Sequence, residues 1–196
     1  PAVIALSLPL VPLAQSRDAP KADGKLTVFT NATIYTATAD KPIENGYMIV
    51  KGGKIIDIGQ QLPRLDAPPE GVDTIDLKGL TVIPGLVDTH SHVGVWSRPG
   101  VSANSDGSES SGPVQPGVRA IDSFNPDDPG IRMALAGGVT TANVMPGSGN
   151  VIGGQTVYVK YRGRSIEEMR ITGLLNGKEI VGGPKMANGE NPKGYG

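Results

Sequence analysis

The spacing of apolar and polar positions changes character at Pro84-Gly85. Before that point, apolar residues come in short runs cut by turn residues. Leu26 to Thr36 is rich in Thr, Val, Ile and Tyr, which favour a pleated strand. Pro42, Asn45 and Gly46 punctuate the residues after it. Tyr47 to Lys51, then Gly52-Gly53, then Lys54 to Gly59 has the form of a hairpin, two strand-forming runs about a two-glycine turn. Pro63 to Gly71 reads as a loop, and Val72 to Leu77 and Leu80 to Ile83 supply two more strands. The pattern predicts a small all-β unit over residues 25–84.

After Gly85 the period lengthens. Leu86 to Thr89 is predicted as a strand. Gly94 to Asn125 is a long polar stretch with Ser102, Ser105, Ser108, Ser110 and Ser111 among glycines and prolines. Loops of that length are uncommon and serve as lids, disordered segments or plain linkers. Asp127-Asp128-Pro129 starts a helix, an Asp cap followed by Pro in the first turn. Ile131, Ala134 and Leu135 are expected on one face, Gly137-Gly138 ends the helix, and Val139 to Val144 is the next strand. A strand, loop, helix, strand order predicts a parallel α/β arrangement over residues 85–196. Gly147, Gly149 and Gly153 come close to a dinucleotide fingerprint, but the spacing is one residue too long. Residues 151–160 read as strand rather than helix, so nucleotide binding is excluded. Ser165-Ile-Glu-Glu168 forms a capping box for a short helix through Met169.

Composition narrows the functional classes. The chain has 196 residues and a formal net charge of −1, which gives no electrostatic reason for a nucleic acid or an anionic membrane as partner. It has no cysteine, so disulfides, thiolate metal sites and thiol nucleophiles are excluded. Residues 1–16 are apolar and uncharged, too short to span a bilayer, and interrupted by Pro9 and Pro12. They read as the apolar part of a secretory leader with a small-x-small cleavage site at Ala14-Gln15-Ser16, followed by a polar linker to Gly24. The expected location is therefore periplasmic or secreted, without a stable membrane span.

Both histidines of the chain, His90 and His92, come after the apolar run Leu86-Val87. On a strand, side chains two apart share a face, so the two imidazoles point the same way and suit one metal ion. Spacing alone also fits a pair of ordinary surface histidines. Asp88 shares their face and either orients a ligand or makes a structural hydrogen bond. Asn143, Asn150 and Gln155 are candidate substrate contacts, and Lys185, Asn188 and Glu190 are candidates to face the same site.

Six segments carry a resemblance. Asn31-Ala-Thr-Ile34, Gly52-Gly-Lys-Ile-Ile-Asp-Ile-Gly59 and Asp76-Leu-Lys-Gly79 resemble the β-sandwich that precedes the barrel in the amidohydrolase superfamily. Pro84-Gly-Leu-Val-Asp-Thr-His-Ser-His92 resembles its first barrel strand, and Gly138-Val-Thr-Thr141 its second. Lys185-Met-Ala-Asn-Gly-Glu-Asn191 is similar to a segment of the imidazolonepropionase-like, secreted dipeptidase-like branch. The resemblance implies a partial β-sandwich followed by the start of a (β/α)8 TIM-type barrel. Such a barrel takes about 250 residues, so it is expected to be incomplete over residues 85–196.

The resemblance also implies His90 and His92 as ligands of a divalent metal, one or two ions, with zinc expected and manganese or iron as alternatives. Lys185 is a candidate for a bridging position. The remaining ligands and a catalytic Asp are expected outside these residues, so none of the 196 is assigned as catalytic and the segment alone is expected to be inactive. The implied activity is metal-dependent hydrolysis of C–N bonds in an amide, cyclic amide or dipeptide by a metal-activated water. Deamination of a ring amine, or a non-catalytic binding protein on the same scaffold, are the alternatives. The partner is a small-molecule substrate, and a homo-oligomer is left open.

Overall fold

A computed structural model describes residues 3–6, 24–62 and 71–195, the first stretch as backbone. The chain separates into two compact units with the boundary between Gly85 and Leu86.

The first unit is one mixed sheet. Its strands are β1 (Val3–Leu6), β2 (Leu26–Ile34), β3 (Ile43–Lys51), β4 (Lys54–Gly59), β5 (Asp73–Asp76) and β6 (Thr81–Pro84). They run in the order β1-β6-β2-β3-β4, with β5 beside β2. The hairpin sits where the two-glycine turn places it, with Lys51 opposite Lys54 and positive φ at Gly52 and Gly53. Strand β2 carries a break in register between Phe29 and Ala32, where Asn31 takes a φ of 54°. Ala32, Ile34, Met48, Leu77 and Val82 are buried together, with Phe29, Ile43 and Leu80 packed around them. The expected leader and the linker after it lie largely on residues 1–2 and 7–23, outside the described residues. Within its span, Val3–Leu6 pairs parallel with β6.

The second unit holds β7 (Leu86–Ser91), α1 (Ala120–Ser123), α2 (Pro129–Ala136), β8 (Val139–Val144), β9 (Ile152–Gln155), β10 (Val157–Lys160), α3 (Ile166–Met169), β11 (Leu174–Leu175), β12 (Lys178–Glu179) and β13 (Pro184–Met186). Strands β7 and β8 are parallel, with α2 between them in sequence, as the pattern predicts. The next neighbour departs from a parallel array. Val157 pairs with Val144, so the chain turns back after residues 145–156 and β10 runs antiparallel to β8. Strand dominates the described residues, and helix is confined to short segments.

Asp128 caps α2 through a 2.8 Å hydrogen bond from the Gly130 amide. Ile131 is buried and Ala134 packs on the core, but Leu135 is 40% exposed, so the covered face is narrower than the spacing predicts. That core joins α2 to the strands through Val95, Phe124, Val144, Val159 and Tyr161. The 94–125 stretch is tied to the unit. Ile152 donates to the Pro113 carbonyl, Gln115 donates back to the Ile152 carbonyl, and Gln155 donates to the Val118 carbonyl. No helix among the described residues is long and apolar enough to cross a membrane.

Candidate metal centre

Strand β7 delivers its odd and even positions to opposite faces. Ser91 is 3% exposed and its hydroxyl lies 3.2 Å from the Tyr161 hydroxyl, which fixes the strand end to the core. Asp88 and His90, on the other parity, and His92 just past the strand end line a cleft of about 380 Å³ with Trp96, Arg98 and Asp128. The His90 and His92 rings have centroids 5.2 Å apart and stand at 85° to one another. The carboxylate of Asp88 accepts from the His90 backbone amide at 3.1 Å, the structural role of the two expected for it.

Hydrogen bonds decide which ring nitrogens are free. The His92 Nδ1–H donates to the Met145 carbonyl at 2.9 Å, since a carbonyl can only accept. The lone pair of His92 is therefore on Nε2. Lys185 comes from β13, which pairs with β9, and its Nζ is 3.2 Å from Ser148 Oγ and 3.3 Å from His90 Nε2. An ammonium can only donate, so His90 also carries its lone pair on Nε2. Burial holds the His92 imidazole below the ordinary histidine range, and the neighbouring Lys185 and His90 charges push the same way, against the Met145 carbonyl. Burial likewise lowers the Lys185 ammonium from the ordinary lysine range.

Asp128 does more than cap a helix. It is 2% exposed, and besides Gly130 it accepts from the Gly94 amide at 2.8 Å and the Arg98 amide at 3.0 Å. It thereby fixes the chain just after His92, where the Val95 and Trp96 amides already donate to the His92 carbonyl. From the sequence Asp128 is legible only as a helix cap. Trp96 stands 4.8 Å from His92, ring centroid to ring centroid, and carries no sequence signal beyond being the one tryptophan in the chain.

The other expected contacts divide. Lys185 reaches His90, whereas Asn188 and Glu190 are exposed, with Glu190 paired to Lys193 at 2.9 Å. Asn150 is fully buried and holds the long loop, its amide donating to the Glu109 and Gly112 carbonyls at 2.7 and 2.8 Å, so it is unsuited to a substrate contact. Gln155 sits in β9 opposite Pro184, and the Asn143 amide lies 3.4 Å from the Thr89 carbonyl.

The donor set can be tested against a divalent metal. Two imidazole Nε2 atoms in one cleft are the right ligand type for a borderline-soft ion, with the His90 lone pair engaged by Lys185 in the metal-free protein. The Met145 carbonyl sets the His92 tautomer from Nδ1, and Lys185 sets that of His90 at Nε2 itself. No group of three His, Cys, Asp or Glu side chains gathers among the described residues. The residues present thus fit two ligands of a metal.

No family model matches the chain. It is 33% identical to the amidohydrolase tasK of Hapsidospora irregularis over 187 residues, which is 87% of this chain and 19% of that protein. It is 47% identical over 68 residues to a 5-methylthioadenosine/S-adenosylhomocysteine deaminase of Bacillus thuringiensis, 34% of this chain and 15% of that one. The chain therefore spans about a fifth or less of these curated relatives. Among solved structures, an amidohydrolase from Thermotoga maritima superposes with a TM-score of 0.72 and 38% identity, over 86% of this chain and 40% of that one. A likeness in sequence along most of the chain, a likeness in fold over a similar share of it, and two histidines at the end of β7 place it together: the chain belongs to the amidohydrolase superfamily.

Proposed function

We propose that His90 and His92 are two ligands of a divalent metal, zinc first among the candidates, in a hydrolase of C–N bonds. The observation that carries this is two Nε2 lone pairs in one cleft, that of His92 set by the Met145 carbonyl at Nδ1 and that of His90 held by Lys185, which a metal would displace from it. Lys185 is the candidate third nitrogen. It would serve as a ligand only without its ammonium proton, and its burial favours losing that proton. When bound, the metal would supply a water acidic enough to be a nucleophile near neutral pH. Burial favours the neutral form of the His92 imidazole and the Met145 carbonyl orients it, with Asp88 bracing the His90 backbone.

The parallel β7–β8 pair and the TM-score of 0.72 support a barrel that begins at β7, preceded by the sheet of residues 25–84. The substrate class favoured is an amide, cyclic amide or dipeptide, on the segment at Lys185 to Asn191 and the amidohydrolase relatives. Deamination of a ring amine is the second reading, favoured by the 47% identity over 68 residues to a deaminase. Export is proposed on the apolar run of residues 1–16; N-terminal sequencing of the mature protein tests it.

The test of the metal reading uses the full-length protein. His90→Ala combined with His92→Ala is expected to lose both bound metal and hydrolysis while keeping its circular dichroism. Activity retained in that double variant would refute the site. A panel of dipeptides and cyclic amides against ring amines, with ammonia release as readout for the latter, separates the two reactions.

A further inference from the structure

Trp96 occupies a slot that two separate loops build. A Cβ placed on either Gly107 or Gly147 would overlap its indole, so both positions leave room for the ring. The two walls are joined directly, the Gly147 amide donating to the Gly107 carbonyl at 2.6 Å. Gly147 lies two residues after Met145, whose carbonyl takes the His92 Nδ1 proton. The indole and the His92 ring lie edge to face, with centroids 4.8 Å apart and planes at 60°. The backbone of Trp96 is held to the His92 carbonyl by a 3.0 Å hydrogen bond. The imidazole of His92 is therefore gripped twice, by a carbonyl at Nδ1 and by an indole against its ring, and the 145–150 loop contributes to both.

We infer that Trp96 is a positioning residue for His92: wedged between Gly107 and Gly147, it fixes the orientation of the imidazole and with it the direction of the Nε2 lone pair. This rests on the metal reading for its consequence in catalysis, but the orienting role is a property of the metal-free protein. A lone hydrogen bond to Nδ1 favours one tautomer only while it holds, and it lets the ring swing about that bond and break it. A flat side chain against the ring removes the swing, which is what a metal ligand needs to keep its lone pair on target.

The experiment compares Trp96→Ala, Trp96→Phe and Gly147→Ala with wild type in the full-length protein. Nitrogen-15 spectra of the metal-free imidazoles are expected to show His92 in one Nδ1–H tautomer in wild type and Trp96→Phe. Averaged, broadened signals are expected in Trp96→Ala and Gly147→Ala, where the wedge is absent or displaced. Zinc titration is expected to give affinity near wild type for Trp96→Phe and about tenfold weaker binding for the other two. In turnover, the loss is expected in kcat more than in KM. An unchanged His92 tautomer signature and unchanged zinc affinity in Trp96→Ala would overturn the inference. If Trp96→Ala does not fold, equal zinc affinity in Gly147→Ala and Trp96→Phe overturns it instead. A wild type that takes up no zinc defeats the metal reading alone, and the imidazole spectra still decide the role of Trp96.

Discussion

Among the described residues of the unit that ends at Gly85, the buried side chains are Val28, Ala32, Ile34, Tyr47, Met48, Leu77 and Val82. In the unit from Leu86 a comparable apolar set is joined by Ser91, Ser97, Asp128, Asn150, Thr156 and Lys185, all of the buried polar or charged side chains among the described residues. Burying a polar group is unfavourable unless it is hydrogen-bonded, so each of these positions constrains its neighbours in a way that an apolar contact does not. Three of them bear on the histidines: Ser91 anchors their strand, Asp128 fixes the loop after it, and Lys185 meets His90. The first unit is held by backbone ladders and apolar packing and needs only the right residue types in the right period. The second spends its stability on polar contacts around one cleft, as expected where function dictates structure.

The largest effect expected of breaking this contrast is at Asp128. Asp128→Ala leaves three amide donors, those of Gly94, Arg98 and Gly130, without their acceptor. Each unsatisfied buried donor costs about 1–3 kcal/mol, so roughly 4 kcal/mol of stability should be lost. Urea denaturation measures this, and zinc affinity should fall with it because the loop that starts at Gly94 is no longer pinned. A loss below about 1 kcal/mol would mean that water replaces the carboxylate freely.

The first unit offers the opposite case. Met48 is 1% exposed in a wholly apolar cluster, and Met48→Ala should cost about 3 kcal/mol through the cavity it leaves. Measured well below the melting temperature, this variant should keep wild-type zinc affinity. A matched loss of zinc binding would show that the apolar unit does more than support itself.

Legibility in the sequence divides along the same line. The hairpin from Tyr47 to Gly59 is legible because its turn and its alternation are local. The sharing of one cleft by His90 and His92 is legible because strand periodicity is local too. Lys185 and His90 are 95 positions apart, and nothing short-range brings them together. Trp96 and Gly147 meet only because residues 145–156 turn back and leave β10 antiparallel to β8, a pairing that the helix-then-strand pattern does not suggest. Asn150 misleads because an amide in a glycine-rich loop looks available until the carbonyls of Glu109 and Gly112 are found on it. Asp128 reads correctly as a cap, but a cap is a local property, and its two longer-range bonds stay hidden.

The smallest effect is expected at Asp76, the most specific polar contact of the first unit. Its carboxylate accepts from the Lys78 amide at 2.8 Å and from the Asn31 side chain at 2.9 Å. It thereby braces a turn in which Lys78 and Gly79 both have positive φ. The bond from the Lys78 amide, and then that from Asn31, holds the Asp76 carboxyl below the ordinary range. Because the folded pKa is the lower one, the stabilisation is complete above the unfolded value and is lost as pH falls through the folded one. Asp76→Asn should therefore lower the urea midpoint slightly at pH 7, and the difference should shrink as pH falls, so the variant loses less on acidification than wild type. Since the group is exposed, the difference should be small, and it should shrink further in salt. Identical acid dependence in the two proteins would mean that the turn is set by backbone alone, and that the first unit owes nothing measurable to the Asp76 carboxylate.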